Sequence, residues 1–323
     1  MKNKNVTQKV YFNSDQQIQK LRRDGLLIDD EKHAKKRLKW EGYYNFAVGY
    51  NRLFKDKNKR YIAGVTFSHI EALFDFDKRL REIVYEATQQ VECNLKAILS
   101  DEFSSRYGVD ERLYLREENF TNAPADLPKV RWIIGTCKAA LQDGVKPASS
   151  SYRDYIAYYD KTYRHVPFWA LVRMLSFGNT SKFLRLLKPD DGREIAKEYG
   201  VPYPTLCNLM ELVVCFRNIA AHGERVYCAH LPHARLTQKL SVLQKLQLPK
   251  RQDGVPMYGN NDCMALFVAL KYLLPKTAFD DYFSQLLTAV NALEKQLPDF
   301  AFHRALHEMG LLGGWKKLNV MQK

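Results

Sequence analysis

The chain has 323 residues, of which 46% are hydrophobic and 27% charged, so it can bury a sizeable core and does not have the composition of a disordered protein. It contains no run of about 18 apolar residues, and the opening MKNKNVTQKVYF lacks the apolar region of a secretory signal, so we expect a cytoplasmic protein without membrane contact. The 50 Lys and Arg residues outnumber the 36 Asp and Glu residues, and the net charge of +14 suits a polyanionic partner without specifying which one.

Helical periodicity dominates the chain and predicts a mostly α-helical protein. At the amino terminus, Ser14 is a candidate N-cap, and the pair Asp24-Gly25 is typical of a helix stop. A second helix is expected over EKHAKKRLKW. Strand-like alternation is short, with candidates at residues 60–67 and 224–229.

The second predicted helix is rich in basic residues and leads into an aromatic stretch. Cations neutralise phosphates, and aromatic rings stack on unpaired bases. RNA contacts are therefore predicted for Lys32, Lys35, Lys36, Arg37, Lys39, Tyr43 and Tyr44. Solvated lysines beside an aromatic core are an equally acceptable interpretation of the same residues.

A long amphipathic helix is predicted from residue 68 to about residue 107, because apolar side chains recur there at intervals of three to four. Residues 108–128 contain two prolines and mixed charges, which predicts a loop. Further helices are predicted around residues 131–142, 151–159, 167–187, 204–222, 262–274, 278–297 and 300–309, with a loop-rich stretch at 230–259.

These patterns divide the chain into three predicted parts. Residues 1–66 form an amino-terminal helical lobe with basic and aromatic character. Residues 67–240 form the main helical domain, and residues 241–323 form a carboxy-terminal helical extension that packs on it.

The predicted helix over residues 204–222 has an uncommon distribution of polar side chains. At about 100° per residue, Arg217 falls among apolar positions, where a guanidinium is rare unless it is paired or lines a site. Glu211, Asn218 and His222 form a polar stripe beside it. Gly223 is a natural helix stop, which places His222 in the last turn.

The side chains of this stripe suit RNA cleavage without a metal or other cofactor. A histidine with a pKa near neutrality can accept and donate protons, and an arginine can stabilise charge on a phosphate. The candidate catalytic residues are therefore Arg217, Asn218, His222 and Glu211. One histidine does not readily perform both proton transfers, which favours a homodimer that supplies a second copy.

The spacing of Arg217 and His222 carries little weight by itself. Chance alone gives about one or two Arg-x(4–6)-His matches in such a chain, and Arg225 with His230 is a second match, without a helical frame or a following Asn. An arginine paired in a helical core and a histidine that only ends the helix would explain the same residues.

Metal binding is not expected. The six cysteines are scattered without a CxxC pair and are typical of reduced, core-filling thiols. His303 and His307 share a helical spacing but lack the glutamate of HExxH. A loop site at Cys228, His230 and His233 is a weak alternative.

Four segments between about residues 20 and 230 carry a family resemblance in a fixed order. They are LRRDGLLIDDEKHAKKRLKWEGYYNFAVGYNRLF, FDFDKRLREIVYEATQQVECNLKAIL, PFWALVRMLSFGNTSKFLRLL and RNIAAHGERVY. Together they resemble the Abi-like (abortive infection, AbiD/AbiF-type) family of bacterial phage-defence proteins, whose members carry a HEPN domain.

The resemblance implies a HEPN-type helical bundle and a metal-independent endoribonuclease toxin whose products end in a 2′,3′-cyclic phosphate. Arg217 and His222 match the catalytic pair, and Asn218 matches the polar residue after the arginine. The resemblance also implies a site shared across a dimer, with RNA as substrate and, in some systems, a small non-coding RNA as inhibitor. Glu224 stands where HEPN toxins paired with nucleotidyltransferase antitoxins carry tyrosine, which argues against that mode of control.

Two other classes of function fit part of the sequence. The first is a non-catalytic RNA-binding module of a defence or toxin-antitoxin complex, in which RNIAAH is structural. The second is a DNA-binding regulator, although the basic first helices show no clear helix-turn-helix pair.

Overall fold

The computed structural model of the protein describes residues 10–144, 151–237, 240–246, 248–250, 252 and 256–322. This part of the chain is mostly α-helical and contains no β-strand, which confirms the predicted all-α class. Its α-helices are α1 Ser14–Arg23, α2 Glu31–Glu41, α3 Phe67–Tyr107, α4 Glu111–Tyr114, α5 Leu127–Gly144, α6 Ser151–Tyr163, α7 Phe168–Leu171, α8 Phe177–Arg185, α9 Pro189–Glu198, α10 Tyr203–Ala221, α11 Ser241–Lys245, α12 Cys263–Leu273, α13 Lys276–Glu294 and α14 Asp299–Met309.

Short segments of other helical types join some of these helices. Tyr44–Val48 forms a π-helical turn after α2. The 3-10 turns are Arg52–Phe54, Glu117–Asn119, Val172–Met174 and Trp315–Asn319.

One compact unit comprises residues 10–80 and 286–307 of the described chain. The N-cap of its first helix is Asn13, one residue before the predicted Ser14, because the side chain of Asn13 accepts the Gln16 N–H and the Gln16 side chain accepts the Asn13 N–H. Helices α1 and α2 pack against each other. The Tyr50 hydroxyl donates to the buried Asp77 carboxylate at 2.6 Å, which satisfies both groups.

Neither strand candidate forms a strand. Residues 60–67 contain two isolated bridges, Lys55 with Tyr61 and Leu27 with Thr66, because Gly64 turns the chain with φ +83° before a ladder can form. Residues 224–229 form a turn that buries Val226 and Tyr227. The apolar side chains of each segment are therefore buried from a loop and not from a strand.

The other compact unit comprises residues 81–285 and 308–322 of the described chain. Within it, α10 packs against α8, α9 and α12, and α12 is buried along its whole length. Phe103 of α3 lies at the centre of an aromatic cluster, with ring centroids 5.0 Å from both Phe168 and Phe183. This cluster fixes the carboxy-terminal part of α3 against α7 and α8.

The predicted helix over residues 167–187 is interrupted. Pro167 caps α7 instead of opening a long helix, and Leu175 is extended. Ser176 then starts α8 by accepting the Asn179 N–H at 3.2 Å. The sequence also failed to predict α9 and the short helices α4 and α11.

The three-part division at residues 66/67 and 240/241 stays a prediction. No α-helix in the described part of the chain combines the length and the apolar character needed to cross a lipid bilayer.

Candidate functional site

Helix α10 is held in place by its apolar face. Pro202 is its N-cap and Pro204 lies in its first turn, where a missing N–H costs no hydrogen bond. Its side chains Leu206, Met210, Val213 and Phe216 are fully buried. The helix is therefore anchored in the unit before it reaches the polar run RNIAAH.

Helix α10 ends where the sequence predicts. His222 is the C-cap, and Gly223 has φ +71°, a conformation that favours glycine. The Glu224 N–H donates to the Ile219 carbonyl at 3.0 Å, and the Gly223 N–H donates to the Ala220 carbonyl at 3.2 Å. These two bonds form a Schellman motif, which presents His222 on a fixed backbone at the helix terminus.

Arg217 lies at the margin of the buried face of α10. Its neighbour Phe216 is fully buried, while the Arg217 side chain is 29% exposed. Its Nη2 atom lies 3.8 Å from Oε2 of Glu92 in α3, and its Nη1 donates to Oδ1 of Asn218 at 3.3 Å. A partly buried guanidinium therefore has a carboxylate partner, as expected for such a position.

Glu92 and Lys96 were not among the predicted site residues. Lys96 Nζ contacts Glu92 Oε1 at 2.7 Å and donates to the Leu175 carbonyl at 2.7 Å. Glu92 therefore lies between two cations, Lys96 and Arg217, and its side chain is only 13% exposed. The i, i+4 spacing of Glu92 and Lys96 was a visible signal, but such pairs are common on helices.

The predicted polar stripe of α10 faces solvent, since Glu211, Asn218 and His222 are all exposed. Glu211 Oε2 accepts from Nη2 of Arg185 in α8 at 2.7 Å, and the same nitrogen donates to the Cys207 carbonyl. Within the described residues, the His222 imidazole has no hydrogen-bond or ion-pair partner. It is therefore open to a ligand, and a catalytic role for Glu211 stays a prediction.

The cysteines of α10 are not activated nucleophiles. Burial raises the pKa of Cys207 to about 11, and burial and Glu211 raise the pKa of Cys215. Both side chains are thiols at neutral pH. The predicted core-filling role is confirmed for the buried Cys137, Cys207 and Cys263 but is wrong for Cys93, which is exposed.

A cavity of about 760 Å³ adjoins Arg217. Helix α3 contributes Glu92, Cys93 and Lys96 to its lining, while α6 and α7 contribute aromatic side chains. A volume of this order accommodates a small-molecule-sized group such as a nucleotide.

The basic residues predicted to bind RNA belong to the other compact unit. Lys32, Lys36, Lys39 and Tyr44 are exposed. Arg37 contacts the carboxylates of Glu41, Glu71 and Asp75, and Lys35 contacts Asp15 and Glu31. RNA binding by this segment, including the half-buried Tyr43, stays a prediction.

The structure does not form the candidate metal sites at His303 with His307 or at Cys228, His230 and His233. Across the described residues, no three His, Cys, Asp or Glu side chains are grouped so that they could hold an ion. The His303 ring pairs with the Asp299 carbonyl at 2.7 Å, and the His230 ring pairs with the Cys228 carbonyl at 3.2 Å.

A sequence model of the Abi-like protein family matches residues 36–228, which is more than half of the chain. The matched region begins within α2 and ends beyond the RNIAAH run. No curated protein and no solved structure matched the chain.

Proposed function

Because the chain belongs to the Abi-like protein family, we propose that it is a HEPN-type endoribonuclease that acts as an abortive-infection toxin. One observation carries the proposal: a partly buried Arg217, held by Glu92, lies in the same helix end as a solvent-open His222.

The proposed reaction is attack of a ribose 2′-hydroxyl on the adjacent phosphorus. The O2′–P bond forms and the P–O5′ bond breaks, which leaves a 2′,3′-cyclic phosphate and a 5′-hydroxyl. His222 accepts the 2′-hydroxyl proton, and a second imidazole protonates O5′. Arg217 stabilises the negative charge that accumulates on the phosphate oxygens.

The second imidazole is the reason to propose a homodimer. His222 of a second copy would supply the acid while His222 of the first acts as the base. Asn218 is proposed to bind the phosphate, because its Oδ1 accepts from Arg217 and its amide N–H groups are left to donate to a phosphate oxygen.

Glu92 is proposed as a positioning residue. Its carboxylate would restrict the rotamers of Arg217 before substrate binds, and the same carboxylate also forms an ion pair with Lys96. Such preorganisation matters because a small misplacement of a catalytic group is costly. The net charge of +14 further suits an RNA substrate and an inhibitory small RNA.

The reaction is tested with a single-stranded RNA and the same strand carrying 2′-deoxy sugars. We expect cleavage of the RNA alone, in the presence of EDTA, with products that carry a 2′,3′-cyclic phosphate. Cleavage of the deoxy strand, or products with a 5′-phosphate, would contradict the mechanism. RNA binding without cleavage would favour a non-catalytic RNA-binding module.

A further inference from the structure

The cavity beside Arg217 has an aromatic wall that the proposed cleavage chemistry does not use. Tyr155 and Tyr159 of α6 and Trp169 of α7 line it. Tyr155 is 55% exposed and Trp169 is 42% exposed. Large aromatic side chains with this much accessible surface, side by side in a concave site, are typical of binding sites.

Two rings of this wall, Tyr159 and Trp169, hold each other. The Trp169 indole N–H donates to the Tyr159 hydroxyl oxygen at 3.2 Å. Their ring centroids lie 6.4 Å apart with the planes at 79°, so one ring edge faces the other ring. Because the rings hold each other, little side-chain entropy is lost when a ligand covers them.

The charged lining of the same cavity is predominantly basic. Lys96, Arg173 and Arg217 contribute cations, and Glu92 contributes the carboxylate. Aromatic faces beside cations suit a ligand that carries both a planar ring and a phosphate. Nucleotides combine these two features, and base stacking with backbone neutralisation is how single strands are bound.

We propose that this cavity binds one unpaired base, and its phosphate, of the RNA strand whose neighbouring bond is cleaved at Arg217 and His222. The inference rests on the proposed ribonuclease function, because Arg217 lines both the cavity and the catalytic site. A duplex base is already stacked on its neighbours, so the cavity selects single-stranded RNA. Stacking makes the selection tolerant of sequence.

A second copy of the chain is a less suitable occupant. The proposed homodimer needs only the two helix ends that carry His222 to meet, whereas a second copy seated in the cavity itself would bring its own Lys96, Arg173 and Arg217 against the same three cations. A polyanionic strand instead complements the net positive charge of the lining.

The test measures the affinity of the full chain for a fluorescein-labelled 12-nucleotide RNA whose 2′-O-methyl groups prevent cleavage. Trp169→Ala and Tyr155→Ala should each weaken binding about 5- to 150-fold, the range for loss of a stacked base. Trp169→Phe should restore most of the affinity. Trp132→Ala is the matched control, since Trp132 is 48% exposed in the same unit but lies outside the cavity.

Unchanged RNA affinity in both alanine variants would overturn the subsite. So would alanine variants that no longer self-associate but still bind RNA as the wild type does, since the cavity would then hold a second copy. Cleavage of unmodified RNA, followed in parallel, separates the two proposals. If cleavage depends on His222 but Trp169→Ala does not change its KM, the ribonuclease proposal stands and the subsite proposal is wrong. If the wild-type chain never cleaves RNA but the alanine variants bind it more weakly, the subsite proposal stands and the ribonuclease proposal is wrong.

Discussion

Arg217 and Glu92 form a contact between α10 and α3, with Nη2 of the guanidinium 3.8 Å from Oε2 of the carboxylate. Both side chains are mostly shielded from water, at 29% and 13% exposure, so their attraction is less screened than that of a surface pair. The same carboxylate contacts Lys96 at 2.7 Å. We therefore propose that Glu92 favours one direction of the Arg217 side chain before any substrate is present.

Glu92→Gln should reduce kcat for RNA cleavage by about 10- to 100-fold with a smaller change in KM, because Arg217 loses its fixed direction. Initial rates over a range of RNA concentrations measure both constants. Asp101→Asn is the matched control, since Asp101 is an exposed carboxylate of the same helix. An equal loss in the control, or a change confined to KM, would contradict a positioning role.

Cys93 is an exposed thiol that lines the aromatic cavity and can report its occupancy. Saturating 2′-O-methyl RNA should slow alkylation of Cys93 at least several-fold, because the strand would cover it. Mass spectrometry of the Cys93 peptide measures the rate, and the half-buried Cys228 serves as the internal reference. Equal rates with and without RNA would place the strand elsewhere.

His69 should make the stability of the protein depend on pH. Its Nδ1 accepts the Thr66 N–H at 3.1 Å, while Thr66 Oγ1 accepts the His69 N–H at the start of α3. Burial lowers the pKa of His69 below its ordinary 6.5, so the folded chain binds fewer protons than the unfolded chain in this range. The free energy of unfolding should therefore fall as the pH drops from 6.5 through the lowered pKa.

His69→Gln separates this effect from that of other groups, since the glutamine oxygen accepts the same N–H without titrating. Urea unfolding at a series of pH values should show a smaller acid loss of stability for the variant than for the wild type. Parallel curves for the two proteins would rule out a contribution from His69.

Asp262 should be the most costly helix cap to remove. Its carboxylate accepts the Ala265 N–H at 2.9 Å and the Gly259 N–H at 2.8 Å, in a site that is 1% exposed. Asp262→Ala leaves two buried donors unsatisfied and should lower the free energy of unfolding by about 1 to 3 kcal/mol. The exposed cap variant Asn13→Ala should cost less, and the reverse order would contradict this account.

Local rules predicted the parts of the fold that depend on one segment. The long helix α3 follows from its apolar spacing, and the end of α10 follows from Gly223. Residues 167–187 were predicted as one helix because the apolar pattern continues through Leu175, and the local signal of the break is Ser176, whose side chain caps α8. Helix α9 was missed because PDDGREIAKE offers few apolar residues to set a period.

The candidate site divides in the same way. Arg217, Asn218 and His222 share one helix, so their proximity could be predicted from sequence. Glu92 and the aromatic wall come from α3, α6 and α7, and only tertiary packing brings them to Arg217. The pairing of Glu211 with Arg185 likewise depends on how α8 meets α10.

We propose that RNIAAH is the active site of a ribonuclease. The most direct test is RNA cleavage by the wild-type chain, by Arg217→Ala and His222→Ala, and by Arg225→Ala and His230→Ala, which remove the other arginine-histidine pair of the same spacing class. We expect cleavage to fall at least about 100-fold in the first pair of variants, with folding intact by circular dichroism, and to persist in the second pair. Equal cleavage by the wild type and both RNIAAH variants would contradict the assignment.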